Sequence, residues 1–195
     1  NTANGVGALY SNTTGSDNNA IGRNALAANT TGGYNTANGS KALYSNTTGS
    51  SNTANGYHSL YSNTTGYSNT AVGSTTLFSN TTGAYNTAIG GRALFSNTTG
   101  SNNTAIGNGA DVASNNLTNA TAIGNGAVVS ASNAIQLGNS NVTLVQTSGT
   151  ISATAFVGNG SGLTNISITG TSALDSKNNV VIGTTLSSSS SNTAG

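Results

Sequence analysis

The sequence predicts an all-β fold, a parallel β-roll whose coils follow a 17-residue period. Three observations carry that expectation. First, residues 35–51, 52–68, 69–85 and 86–102 repeat one pattern, NTAxGxxxLxSNTTGxx, with no insertion or deletion, and the same period reaches back to Asn1 and forward to Ala120. A fixed period of this size marks a repeat architecture. Second, the units are rich in Gly, Asn and Thr and have no apolar pattern of helical period, which removes the helix as the repeating element. Third, two short segments, T-A-x-G and A-L-Y-S, separated by turn chemistry, fit short strands. Asn followed three residues later by Gly frames a β-turn, in which Gly is free to take positive φ. Seventeen extended residues span at most about 56–60 Å, enough for one small closed turn with two bends. Successive coils are then expected about 4.8 Å apart.

Within the unit, position three is always Ala and position five always Gly, from Ala3 and Gly5 to Ala122 and Gly124. Position nine is Leu in the first six units: Leu9, Leu26, Leu43, Leu60, Leu77 and Leu94, the expected repeat core. Position ten is aromatic in five of these (Tyr10, Tyr44, Tyr61, Phe78, Phe95), with Ala27 as the exception. Packing is the plainer reading of that stripe. Alternation in T-A-x-G puts Ala and Gly on one face, Thr and the fourth residue on the other. The pattern leaves open which face is interior. If position four points inward, Asn38 over Asn55 forms a buried amide ladder.

Each coil offers little apolar surface for the backbone it must order. The roll is therefore expected to bury a second face against identical chains, as a cyclic homo-oligomer.

Composition bounds the function. There are four Lys or Arg, three Asp or Glu and one His, for a net charge of +1, so a broad basic footprint for nucleic acid is not expected. Cys is absent, which excludes disulfides and thiolate metal sites. No apolar run is long enough to cross a bilayer. The chain starts at Asn1 rather than Met. That reads as a mature form or a fragment, with any signal peptide or membrane anchor expected outside it. Low charge and low hydrophobicity point toward disorder, but the strict period argues against it.

Positions six and seven vary among otherwise constant repeats and mark an exposed bend. They hold Arg23, Lys41, Tyr57, His58 and Arg92. Solvated turn residues are the plainer reading. A cationic stripe touching an anionic glycan or surface is the sharper one. Tyr34, Tyr67 and Tyr85 lie outside the position-ten stripe, beside the turn, and are candidates for stacking on sugars. Asn12, Asn29, Asn46, Asn63, Asn80 and Asn97 match the N-x-[ST] glycosylation pattern, although the turn explains them without sugar. Thr13, Thr30, Thr47, Thr64, Thr81 and Thr98 form an expected edge ladder, the basis of an alternative reading as an ice-binding solenoid. Acid–base catalysis would fall to Asp17, Asp111, Asp175 or His58; no two share a repeat position or lie close in sequence, so an enzyme is not expected and no cofactor is implied.

Residues 103–138 change character. The coil from Asn103 loses NTTG and the Leu at position nine, and the step from Gly124 to Gly138 is shorter by three positions than the step from Gly107 to Gly124. An atypical last coil is what a capping unit looks like. The segment ATAIGNGAVVSASNAIQLGN resembles the head repeats of trimeric autotransporter adhesins, the YadA-like β-roll, with its A-I-G core. The NTAxGxxALxxNTTG units resemble a longer variant found in bacterial surface fibres and tail-fibre-like proteins. The likeness covers residues 1–138 and departs from the family in the 17-residue period. It implies three parallel chains, each a left-handed β-roll, packed into a rigid shaft or head, with no catalytic residues to carry over.

Residues 139–186 are expected to form a β-rich connector. VTLVQ and ISATAFVG alternate in part as strands do. ISATAFVGNGSGLTNI resembles connector segments of trimeric tail fibres and fibre adhesins, and KNNVVIGTT a related segment near their C-terminal ends. The loop at Gly158–Gly162 lacks the Lys and following helix of a phosphate cradle. Residues 187–195, with a five-Ser run, read as a linker. The expected function is an extracellular, cell-surface structural and adhesive fibre. Its partners are copies of itself and host or prey surface glycans or proteins.

Overall fold

The structure is a computed structural model, and it describes residues 1–142 and 144–149 together with the backbone of two strands at 172–174 and 180–182. The chain divides into two units, Asn1–Gln146 and Thr147–Gly195.

The first unit is a parallel β-solenoid. Its strands are β1 (Thr2–Asn4), β2 (Asn19–Ile21), β3 (Thr36–Asn38), β4 (Thr53–Asn55), β5 (Thr70–Val72), β6 (Thr87–Ile89), β7 (Thr104–Ile106), β8 (Asp111–Val112), β9 (Thr121–Ile123), β10 (Val128–Val129) and β11 (Ile135–Leu137). Nine of them make one parallel sheet in the order β1-β2-β3-β4-β5-β6-β7-β9-β11. Ala pairs with Ala down the stack, Ala3 with Ala20, then Ala37, through to Ala122. The last step pairs Thr121 with Ile135, so the final coil is the short one that the Gly spacing predicts.

The alternation in T-A-x-G resolves cleanly. Ala20, Ala37, Ala54, Ala71, Ala88, Ala105 and Ala122 are buried, while position four is exposed in every coil. Asn38 over Asn55 is therefore an outward pair and not a buried ladder. Gly at position five is required twice over. Its φ lies between 118° and 146°, and a Cβ at Gly56 would sit 2.6 Å from the carbonyl carbon of Gly73 in the next coil.

The A-L-Y-S segment is not a strand. Leu9, Leu26, Leu43, Leu60, Leu77 and Leu94 all take φ of 49–52°. A γ-branched side chain in the left-handed region is uncommon. Here it lets the chain turn while five of the six Leu, from Leu26 to Leu94, become fully buried. Backbone ladders still run through the turn: Leu26 N donates to Ala42 O at 3.0 Å and Leu43 N to Ser59 O at 3.0 Å. Positions five to eight form a second turn, closed by bonds such as Ala25 N to Gly22 O at 3.2 Å, which leaves positions six and seven at its tip as expected. The Gly of NTTG does not take positive φ. It is Gly because a Cβ on Gly49 would run into the Gly66 carbonyl of the next coil and the Asn46 side chain.

Of the second unit, strands β12 (Ser172–Leu174) and β13 (Val180–Ile182) are described and pair antiparallel. Residues 144–146 of the expected VTLVQ strand form no strand, and Leu144 and Val145 are exposed. The ISATAFVG segment, the Gly158–Gly162 loop, Asp175 and the Ser-rich end lie outside the described residues.

Candidate binding surfaces

The NTTG corners hold two side-chain ladders. At position twelve, Asn29 Nδ2 donates to Asn12 Oδ1 at 2.7 Å, Asn46 to Asn29 at 2.8 Å, Asn63 to Asn46 at 2.8 Å, Asn80 to Asn63 at 2.8 Å and Asn97 to Asn80 at 2.9 Å. The other amide hydrogen of each goes to the Gly carbonyl three residues on, as in Asn63 Nδ2 to Gly66 O at 2.9 Å. At position one, each Asn Oδ1 accepts the backbone N–H of the Asn below, as in Asn69 N to Asn52 Oδ1 at 3.0 Å, and its Nδ2 reaches the same Gly carbonyl, as in Asn52 to Gly66 at 2.9 Å. A polar interior of this kind is stable only when each member is satisfied, and a fixed register satisfies them all by translation.

These ladders bear on the glycosylation motifs. Asn29, Asn46, Asn63, Asn80 and Asn97 are fully buried, and both hydrogens of each amide are engaged. The folded coil does not present these nitrogens to a glycan; only Asn12, in the first coil, is partly open. The Thr ladder is likewise tied in. Thr30 Oγ1 donates to Thr47 O at 3.0 Å and Thr64 Oγ1 to Thr81 O at 3.1 Å, and the residues from Thr30 to Thr98 are half-buried. The neighbouring Thr31, Thr48, Thr65, Thr82 and Thr99 are exposed.

Two outward surfaces remain. The first is the outer face of the nine-stranded sheet. Its position-four residues change along the stack from Asn4, Ile21, Asn38 and Asn55 to Val72, Ile89, Ile106, Ile123 and Leu137. These last five are aligned and 37–46% exposed, an apolar stripe bordered by Thr70, Thr87, Thr104 and Thr121.

The second surface is the aromatic ladder. Tyr44, Tyr61, Phe78 and Phe95 stack with centroids 5.2, 5.2 and 5.3 Å apart and planes within 9°. The position-seven side chains lie over it. Lys41 Nζ is 5.9 Å from the Tyr44 centroid and the Arg92 guanidinium 4.2 Å from that of Phe95, distances at which cations are drawn to ring faces. His58 stacks on Tyr57 at 3.9 Å and tilts against Tyr61 at 4.9 Å. Its pKa is lowered, first by burial and then by the charges of Lys41 and Arg23. The cations predicted at the bend are thus joined to the aromatic stripe, except Arg23, whose coil has Ala27 in place of the ring.

Tyr34, Tyr67 and Tyr85 are exposed and stand apart from the ladder. Tyr67 and Tyr85 meet edge to face at 5.1 Å. The neighbouring Tyr67 hydroxyl, then that residue's charge, raises the Tyr85 pKa. Asp111 is used structurally: its carboxylate accepts the backbone N–H of Ser96 at 3.1 Å and of Val112 at 2.9 Å. Among known proteins, no family model and no curated sequence matches the chain. Sequence reasoning missed the paired Asn ladders; the signal was there in Asn recurring at positions one and twelve around a constant Gly at fifteen.

Proposed function

We propose that this chain is a structural and adhesive segment of an extracellular fibre, assembled as a parallel homotrimer at a cell surface. The observation that carries the reading is the aligned stripe Val72, Ile89, Ile106, Ile123 and Leu137 on the open face of the sheet. A contiguous apolar row on a flat, regular face is the kind of surface a stable partner covers. Identical chains stacked in parallel offer the same row at the same height, which is what cyclic association needs. The resemblance of the repeats to trimeric adhesin heads supplies the number three. The mechanism is passive. Eight coils at about 4.8 Å each give a rod of about 38 Å, and three chains present each outward feature three times, so weak contacts sum to avidity. The aromatic ladder and its cations are the side of the coil left to face a partner surface.

Light scattering on the purified chain tests this. The expected mass is three chains in an elongated particle. I106D places a carboxylate in the middle of the row and is expected to shift the mass to one chain while the β spectrum persists. A compact monomer for the unsubstituted chain overturns the reading. A monomer that arrests ice growth would favour the solenoid's Thr arrays instead.

A further inference from the structure

The aromatic ladder has a missing rung. Position ten is aromatic in coil one (Tyr10) and again from coil three (Tyr44) to coil six (Phe95), but coil two has Ala27 there. The backbone does not change at the gap. Ala28 N donates to Tyr44 O at 3.1 Å just as Ser11 N donates to Ala27 O at 3.0 Å and Ser45 N to Tyr61 O at 3.1 Å. The walls on either side are therefore two coil spacings apart, about 10 Å, and the space between them is one ring thick at the ladder's own 5.2 Å interval. A cleft of about 580 Å³ opens there, lined among others by Tyr10, Asn24, Ala27, Tyr44 and Ser45. That volume is in the range of small-ligand sites. Tyr10 is 85% exposed, whereas the ladder rings from Tyr44 to Phe95 are half-buried.

We infer that this slot binds one neutral pyranose ring of a glycan, held between Tyr10 and Tyr44. The chemistry of the lining selects this class. Two aromatic walls attract the C–H faces of a saturated sugar ring, which is thicker than an aromatic ring and suits an interval of about 5 Å on each side. Ser11, Ser45 and Asn24 add hydroxyl and amide groups that match sugar hydroxyls, and a purely aromatic guest would leave them unmatched. No lining residue is charged, which disfavours an anionic sugar. The Ala27 floor leaves the depth that a ring at this position would otherwise fill. The inference deepens the adhesive reading by naming the ligand class and rests on it for biological purpose. The slot and the apolar row occupy different segments of the coil.

The test uses saturation-transfer NMR with methyl β-D-galactopyranoside, methyl α-D-mannopyranoside and methyl β-D-glucopyranoside as probes, and phenol as the aromatic comparison. The unsubstituted chain is expected to transfer saturation to ring protons of at least one glycoside. A27Y supplies the missing rung from the chain itself and is expected to abolish the transfer while raising the unfolding temperature. Y10A removes an exposed wall and is expected to abolish it without loss of fold. Absence of transfer to all three glycosides, transfer undiminished in A27Y, or binding of phenol alone each overturns the inference. Neither variant touches the apolar row, so mass in solution reports separately. A trimer with no glycoside signal sinks the slot alone, and a monomer with an A27Y-sensitive signal sinks the fibre alone.

Discussion

Coils one to six and coils seven and eight solve the same closure in different ways. The first six use three corners: Leu in the left-handed region, a turn at positions five to eight, and an NTTG corner lined by two Asn ladders. The last two drop the Asn-Thr-Thr-Gly corner and replace the Leu turn with the short parallel pair β8 and β10, in which Val112 and Val129 point inward from position ten. The inward residue moves by one place because a strand alternates where the Leu turn does not. The position-twelve ladder ends at Asn97, where Asn103 Nδ2 donates to its Oδ1 at 3.2 Å, and one coil later the repeat contracts, with Thr121 pairing to Ile135. Coil seven keeps the 17-residue length without that corner and only coil eight shortens, so the loss of the Asn ladder precedes the contraction by one coil.

What both regions share is Gly at position five, and changing it gives the largest expected effect. G56A forces a Cβ against the Gly73 backbone at a φ of 145°, and neither neighbour can yield. We expect a loss above about 4 kcal/mol, the range reserved for severe backbone conflict, seen as failure to give a folded chain or a collapse of the unfolding midpoint. G109A, at φ 65° with no atom within 4 Å of the new Cβ, should cost only about 1–2 kcal/mol. Equal effects would mean that the coils are not in the close register described.

The next effect separates the regions. N63A removes two donors and one acceptor from the buried ladder; it leaves Asn46 Oδ1 without a donor and one Asn80 amide hydrogen without an acceptor, the other still reaching Gly83 O. Each orphaned group costs about 1–3 kcal/mol, so a loss of about 2–5 kcal/mol is expected in thermal unfolding. N116A, exposed in the coil that has no such ladder, should stay within about 0.5 kcal/mol. A mild N63A would show that water or neighbouring chain replaces the amide.

The repeat period, the strand at T-A-x, the bend at positions six and seven and the shortened last coil were all legible, because each is a one-dimensional pattern whose register copies into space. The facing of position four was not: Asn38, Asn55, Val72 and Ile89 mix polar and apolar, and only the neighbouring Ala, too small to signal a core alone, settles the interior. Leu60 was legible as core but not as a turn, since nothing in its local sequence announces φ near 52° for a Leu. Asn63 looked like turn chemistry or a glycan acceptor because its role depends on Asn46 and Asn80, one full coil away on either side. The binding slot is an absence, Ala27 where a ring is expected, and it becomes a feature only once the stack around it is seen.

The smallest effect lies at position seven, where the first region carries His58 and the last two coils carry Gly109 and Gly126. Burial, then Lys41 and Arg23, hold the His58 pKa below its usual 6.5. The folded coil therefore resists a proton that the unfolded chain accepts. Stability contributed by the neutral ring is fully present above about pH 6.5, and it is lost as pH falls through that value toward the lower folded pKa. The unfolding midpoint should drop between about pH 7 and pH 5. Asn is the control because Asn24 holds the same position at φ 57°, close to the 55° of His58. H58N should flatten the decline, since this is the only His in the chain. A decline of the same size in H58N would assign the pH response to groups outside the aromatic ladder and leave the ring stack around Tyr61 electrostatically indifferent.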